Sequence, residues 1–251
     1  MHTWKKRGRA ALTAAALFAA LLTAGSAAHA ATSSLLSATD QRQLSQWLGE
    51  GAVRFDGLFT KVDGATSRDF HQSVDGKGRT LVVMEATNRA GQTFLLGGYN
   101  PQSWSSSGSY NLTNEDGGRT AFLFNLTSGK LFRQMLNAYG QEALGSYQTL
   151  NDGDSGPTFG WGHDLQMSRD LSSGYSLLYS YADTGLGDLN LSIADGAAFG
   201  SMNDLHYGRM EVYTISAVPE PAQALLLGGG LALLFVVRKR RTGARFRMTA
   251  R

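Results

Sequence analysis

Two histidine–aspartate pairs offer the most direct acid–base chemistry in the chain: His71 with Asp75, four residues apart, and His163 with Asp164, adjacent in a glycine-rich turn. An imidazole beside a carboxylate can take up or deliver a proton, and either group can ligate a metal ion. A metal site needs three or four such ligands converging in space. No H-x-x-x-H or comparable ligand pair occurs, and His206, with Asp204 and Asp69, adds only scattered candidates. The plainer role for His71, which follows Phe70 on a short helix, is a hydrogen-bonded structural histidine. For Asp164 it is to cap or close its turn.

Other chemistries are sparsely provided. Asn151–Gly156, NDGDSG, has the spacing of the start of a calcium loop, but it lacks the third acidic ligand. Its twelfth position is His163, where a bidentate Glu belongs, so it reads as a solvated turn. There is no G-x-S-x-G, no Walker loop and no G-x-G-x-x-G, so no nucleophile, metal or cofactor signature is present. Paired carboxylates for glycan hydrolysis stay open, because such pairs meet only in the fold. Glu85, Glu115, Glu142 and Glu211 are among the glutamates available to the body of the protein. Asn111, Asn125 and Asn190 match the N-glycosylation pattern, an accidental match in a polar, Asn-rich chain.

The elements that must position these residues follow from periodicity. Ser37–Leu48, SATDQRQLSQWL, predicts a helix of about three turns. Ser37 or Thr39 caps it, Asp40 lies in its first turn, and Leu44, Trp47 and Leu48 share one face. A short helix starts near Thr66 or Ser67 and runs into a Gly-rich turn. Thr80–Ala86 and Gln92–Tyr99 form a hairpin across Asn88–Gly91, and further strands begin at Thr120, Gly174, Gly187 and Arg209. Ser128–Tyr147 suits either a helix or a strand. Of 31 glycines, 25 lie in residues 31–217, which fits many short strands joined by tight turns. The expectation is a β-rich α+β body with a few helices packed on it.

Both ends of the chain read as addresses. Lys5, Lys6, Arg7 and Arg9 precede an apolar stretch from Ala10 to Leu22, and Ala28-His29-Ala30 offers a cleavage site, which makes residues 1–30 a signal peptide. Residues 31–217 then carry 12 basic and 19 acidic side chains, a net charge of −7 against +3 for the whole chain. With no Lys/Arg cluster in that body, nucleic acid is excluded as a partner. With no Cys, stability must come from a core and not from disulfides.

Five segments in order, FHQSVDGKGRTLVVMEATN, TFLLGGYNPQSW, AFLFNL, GPTFGWGHDLQM and MEVYTI, resemble the TLDc domain over Phe55–Ser216. The resemblance implies a two-sheet antiparallel β-sandwich flanked by helices, here preceded by an N-terminal helical segment at 31–54. It also places Gly97 and Gly98 where a neighbouring element comes close, with the Tyr99 ring in the core and its hydroxyl at the edge. Val74 stands where many relatives carry Cys, and Arg79 where they carry Pro, so no thiol chemistry attaches to this chain.

Residues 217–251 are similar to a PEP-CTERM sorting segment of Gram-negative, matrix-producing bacteria. Val218-Pro219-Glu220-Pro221 is the motif, residues 222–237 a short transmembrane helix, and Arg238, Lys239, Arg240 and Arg241 open a basic tail over 238–251. Sixteen helical residues span about 24 Å of a roughly 30 Å hydrocarbon core, enough for a transient stop in the inner membrane. The two prolines hold the motif extended, in reach of a protease. The resemblance implies signal peptidase and exosortase as processing partners and delivery to the outer surface or extracellular matrix. The expected function is a non-catalytic binding domain for exopolysaccharide or another envelope protein. The alternative is a matrix-modifying hydrolase using Asp/Glu and His71, Asp75, His163 and Asp164.

Overall fold

A computed structural model describes residues 34–136, 142–198 and 204–218, and from Leu35 onward these belong to one compact unit. The first helix, α1 (Ala38–Leu48), is fixed at its start by a capping box. The Asp40 N–H donates to Ser37 Oγ at 3.2 Å, and the Ser37 N–H donates to the Asp40 carboxylate at 2.9 Å. The helix ends at Gly49, whose φ of +71° is the left-handed stop that glycine allows at least cost. Leu44 is fully buried, and the Trp47 ring lies 6.1 Å from that of Phe124. α2 (Ser67–Val74) begins the same way, with the Thr66 N–H donating to Asp69 at 2.8 Å.

The strands are β1 (Val53–Thr60), β2 (Thr80–Asn88), β3 (Thr93–Asn100), β4 (Ser109–Leu112), β5 (Phe122–Asn125), β6 (Lys130–Arg133), β7 (Tyr147–Asn151), β8 (Thr158–Phe159), β9 (Leu165–Met167), β10 (Ser173–Tyr175) and β11 (Asp204–Ala217), with a single helical turn, α3 (Glu142–Gly145), before β7. β2 and β3 pair from Thr80↔Asn100 to Thr87↔Thr93, which is the expected hairpin. β2 is buried on both faces. Leu81 and Val83 join Leu44, Phe122, Phe124 and Ile215 beneath α1. Val82 and Met84 join Phe70, Trp104, Phe159 and Tyr181 on the opposite face. That explains its unbroken apolar run, since a strand covered on both sides has no polar face to alternate with.

The two separate sheets expected from the resemblance are instead one large antiparallel sheet of eleven strands, in the order β4-β7-β8-β9-β10-β11-β2-β3-β5-β6, with β1 added along β11. The cause is the 14-residue β11, whose register shifts between Tyr207 and Met210. One edge of this strand pairs with β10 at residues 204–206 and with β1 at residues 211–217, so a single strand serves both arms of the sheet. The arms nevertheless meet face to face. A Cβ on Gly98 of β3 would come within 2.5 Å of the Phe159 ring of β8, and one on Gly97 would overlap the Val82 carbonyl. The expected close approach at these glycines is therefore present. Tyr99 is 5% exposed and its hydroxyl meets Arg79.

Two strand expectations fail. Of the stretch from Gly174, only Ser173–Tyr175 is a strand, and the stretch from Gly187 forms no strand beyond the isolated bridge Leu191↔Ala198. Side chains there occupy the backbone groups a ladder would use. Asp164 accepts from the N–H of Tyr179 and Tyr181, and Ser176 Oγ accepts from that of Ile193. In the ambiguous stretch from Ser128 the described residues form β6 and α3. Among the described residues no helix is long and apolar enough to cross a membrane. The expected signal peptide at 1–30, the expected span at 222–237 and the rest of the expected motif beyond Val218 lie outside the described residues.

Candidate functional site

His71 and Asp75 sit one turn apart at the end of α2, which places both side chains on one face of the helix. His71 Nδ1 is 2.7 Å from Asp75 Oδ1, and Nε2 lies 3.0 Å from the Asp152 carbonyl and 3.2 Å from that of Ser155. Ser106 Oγ donates to the other Asp75 oxygen at 2.7 Å. Ser106 is brought there by the bridge between Asp75 and Trp104, whose indole is buried among Phe70 and Phe159 and donates to Thr80 Oγ1 at 2.8 Å. The imidazole therefore ties α2 to the 152–155 turn, and the carboxylate ties α2 to the segment after Trp104.

Serine, histidine and aspartate thus meet here, but in an order that does not activate a nucleophile. In a catalytic triad the histidine stands between the other two and takes the serine proton. Here aspartate stands in the middle, and both imidazole nitrogens face other acceptors. A shallow depression of about 560 Å³ opens beside the cluster, lined by Arg68, Gln72, Asp75, Ser106, Asp152 and Asp154. The two aspartates of the 152–154 turn are engaged locally: Asp152 accepts from the Asp154 N–H at 3.1 Å and Asp154 faces Arg169 at 3.5 Å. Among the described residues no cluster of three His, Asp or Glu side chains is arranged to hold a metal ion.

The second pair is built differently. His163 has a φ of +58°, and its Nδ1 is 3.0 Å from the Tyr175 hydroxyl. Burial lowers its pKa. Asp164, the next residue, points inward and is fully buried. Its Oδ2 accepts from Tyr179 N–H at 2.6 Å and from Tyr181 N–H at 2.8 Å, while Oδ1 has no partner. Burial pushes this carboxyl up to about 7, against the opposing pull of the backbone N–H groups of Tyr179 and Tyr181. Gly160, at φ +76°, makes room, since a Cβ there would overlap the Asp164 carboxyl.

The pairs do not share a cleft. His71 and Asp75 border the depression, and neither His163 nor Asp164 lines it. Of the glutamates, Glu211 is buried against Tyr213 and Arg209, with the Leu35 N–H donating to it at 2.9 Å. Asn125 is fully buried, its amide donating to the carbonyls of Ile193 and Ala194 at 3.0 and 2.9 Å, a structural role that explains its place in the sequence. Val218, the first residue of the expected sorting motif, is half-exposed just past β11.

Sequence reasoning missed Ser106, which lies 31 residues from Asp75, and a group of surface rings. Trp161 is 51% exposed, with Tyr147 at 6.0 Å and Tyr110 a further 5.0 Å on. A tryptophan between two glycines, Gly160-Trp161-Gly162, was the available signal, because neither neighbour carries a side chain to cover it.

This fold and these motifs define a class. The profile of the TLDc domain matches residues 29–216, more than half of the chain, and the chain belongs to the TLDc domain family. A search of curated proteins finds no match to it.

Proposed function

We propose that this protein is exported, stops in the inner membrane through its C-terminal segment, and is cut by an exosortase near Val218–Pro221. Its TLDc body is then delivered to the cell surface or matrix, where it binds an exopolysaccharide or another envelope protein without chemical turnover. Support for export comes from the charged and apolar N-terminus with its Ala28-His29-Ala30 site. Support for sorting comes from Pro219-Glu220-Pro221 followed by an apolar run and Arg238–Arg241. The observation that carries the binding reading is that the two His–Asp pairs stand apart in the fold. Both His71 nitrogens face backbone or carboxylate acceptors, and Asp164 is sealed in the interior. With neither His163 nor Asp164 lining the depression that His71 and Asp75 border, the four side chains form no joint acid–base site.

Intact mass tests the sorting half of the proposal. Surface-released protein from a host with the sorting enzyme is expected to begin after Ala30 and end near the motif. A variant with Pro219→Ala, Glu220→Ala and Pro221→Ala is expected to stay membrane-bound with its C-terminus intact. Wild-type protein that keeps residues up to Arg251 would overturn the sorting half.

A further inference from the structure

Large apolar side chains that reach water at one place on a folded surface mark a binding face. Two of them border one residue here. Trp161 packs on Tyr147 at 6.0 Å, and Leu112, also 51% exposed, is the cross-strand partner of Tyr147 in the β4–β7 pair. Tyr110 extends the row, edge-on to Tyr147 at 5.0 Å. The Tyr175 hydroxyl lies 3.0 Å from Nδ1 of His163, two residues along from Trp161. The row is held from beneath. The Trp161 N–H donates to Ser180 Oγ at 2.9 Å, and the Tyr179 side chain packs against Gly162, where a Cβ would overlap it. The tryptophan ring thus projects from a fixed backbone.

The charge around the row is as informative as its shape. The segments that carry the row, residues 109–112, 147–163 and 173–179, hold no Lys or Arg. His163, beside Tyr175, has its pKa lowered by burial, which favours the neutral ring. A row of rings carrying hydroxyls and no cations is unsuited to an anionic ligand, and the net charge of −7 over residues 31–217 disfavours one further.

We infer that the Trp161–Tyr147–Tyr110 row, continued by Tyr175, binds a neutral β-linked polysaccharide. Sugar rings stack on the aromatic faces and sugar hydroxyls bond to the phenols. Equatorial linkages leave an extended chain whose flat C–H face lies on the exposed Trp161 ring, while the phenols of Tyr147 and Tyr110, rings turned 86° to each other, meet its hydroxyls. Rings that carry an apolar face and a polar edge match a ligand of the same kind. This inference rests on the binding-domain reading of the TLDc body and gives it a ligand class and a location.

The test is retention of the full-length chain, in a detergent without sugar groups, on microcrystalline cellulose. Wild type is expected to be retained, with little loss at about 0.5 M NaCl because no ion pair is involved. Trp161→Ala and Tyr147→Ala are each expected to weaken retention about tenfold, the scale of one lost stacking contact. Trp161→Phe keeps part of the binding, and Leu186→Ala, an exposed apolar residue elsewhere, keeps all of it. Melting curves establish that the variants are folded. Retention of Trp161→Ala equal to wild type overturns the aromatic row while leaving a binding domain intact. Failure of wild type to bind overturns the polysaccharide and leaves the row to a protein partner. Neither failure touches the sorting proposal, which intact mass decides separately.

Discussion

At the end of α2, an imidazole and a carboxylate meet at 2.7 Å with further partners on every side. In the turn between β8 and β9, the same two residue types stand next to each other and point apart, one to a surface tyrosine and one into a dry interior with an oxygen left unpaired. Spacing makes the difference. Four residues apart on a helix, two side chains share a face and meet. Adjacent residues, one at φ +58°, are sent to different sides of the chain. A carboxylate with its partners in place fastens two segments. A fully enclosed carboxyl with one oxygen left unpaired holds its proton to about pH 7.

The contrast should break first along the pH axis. Asp164 has a folded pKa of about 7, above the roughly 3.9 of an unfolded aspartate. The native state therefore keeps a proton that the unfolded chain releases. The stability this provides is complete below about pH 4 and is lost as pH rises through 7, about 4 kcal/mol in all. His163 works in the opposite direction: its lowered pKa costs stability as pH falls. Denaturant unfolding between pH 5 and 8 is expected to show wild-type stability falling with pH. Asp164→Asn, which keeps the acceptor without the charge, should flatten or reverse that slope. An unchanged slope would place the titration elsewhere.

A smaller effect is expected from removing the acceptor altogether. Asp164→Ala strands the Tyr179 and Tyr181 N–H groups in a dry interior, at a cost of about 3 kcal/mol at pH 5. For a chain of this size that lowers the melting temperature by roughly 6–12 °C, measurable by circular dichroism. At the other pair, His71→Ala should cost about 2 kcal/mol, because the Asp75 carboxylate and two turn carbonyls lose their partner. A double-mutant cycle with Asp75→Ala should return a coupling of about 1 kcal/mol, and no coupling would mean the fastening is not energetic. The smallest change is Ser106→Ala. It removes one hydrogen bond from a carboxylate that still meets His71, at about 1 kcal/mol by the same unfolding assay.

What could be read from the sequence follows the range of each interaction. The Ser37–Asp40 box and the β2–β3 hairpin are set by residues a few positions apart, so α1, α2 and the hairpin lie within two residues of where periodicity and caps put them. The irregular path after Tyr175 was hidden because the Asp164 carboxylate, 15 and 17 residues upstream, takes the N–H groups of apparent strand residues. The joining of both arms through β11 was hidden for the same reason: which strand pairs with each half of an edge is decided across the whole chain. At the candidate site, the spacing of His71 and Asp75 was visible, but the carbonyls of Asp152 and Ser155, more than 80 residues away, were not. The aromatic row draws on four separate segments, and only the glycines around Trp161 hinted at it.

The central claim is that the His–Asp pairs fasten the fold and that binding takes place elsewhere. Melting temperature and cellulose retention, measured together on full-length wild type, His71→Ala, Asp164→Asn and Trp161→Ala, test it most directly. The expected result is a separation: at neutral pH, His71→Ala and Asp164→Asn move the melting temperature and keep retention, whereas Trp161→Ala loses retention and keeps the melting temperature. Loss of retention in His71→Ala or Asp164→Asn at an unchanged melting temperature would contradict it.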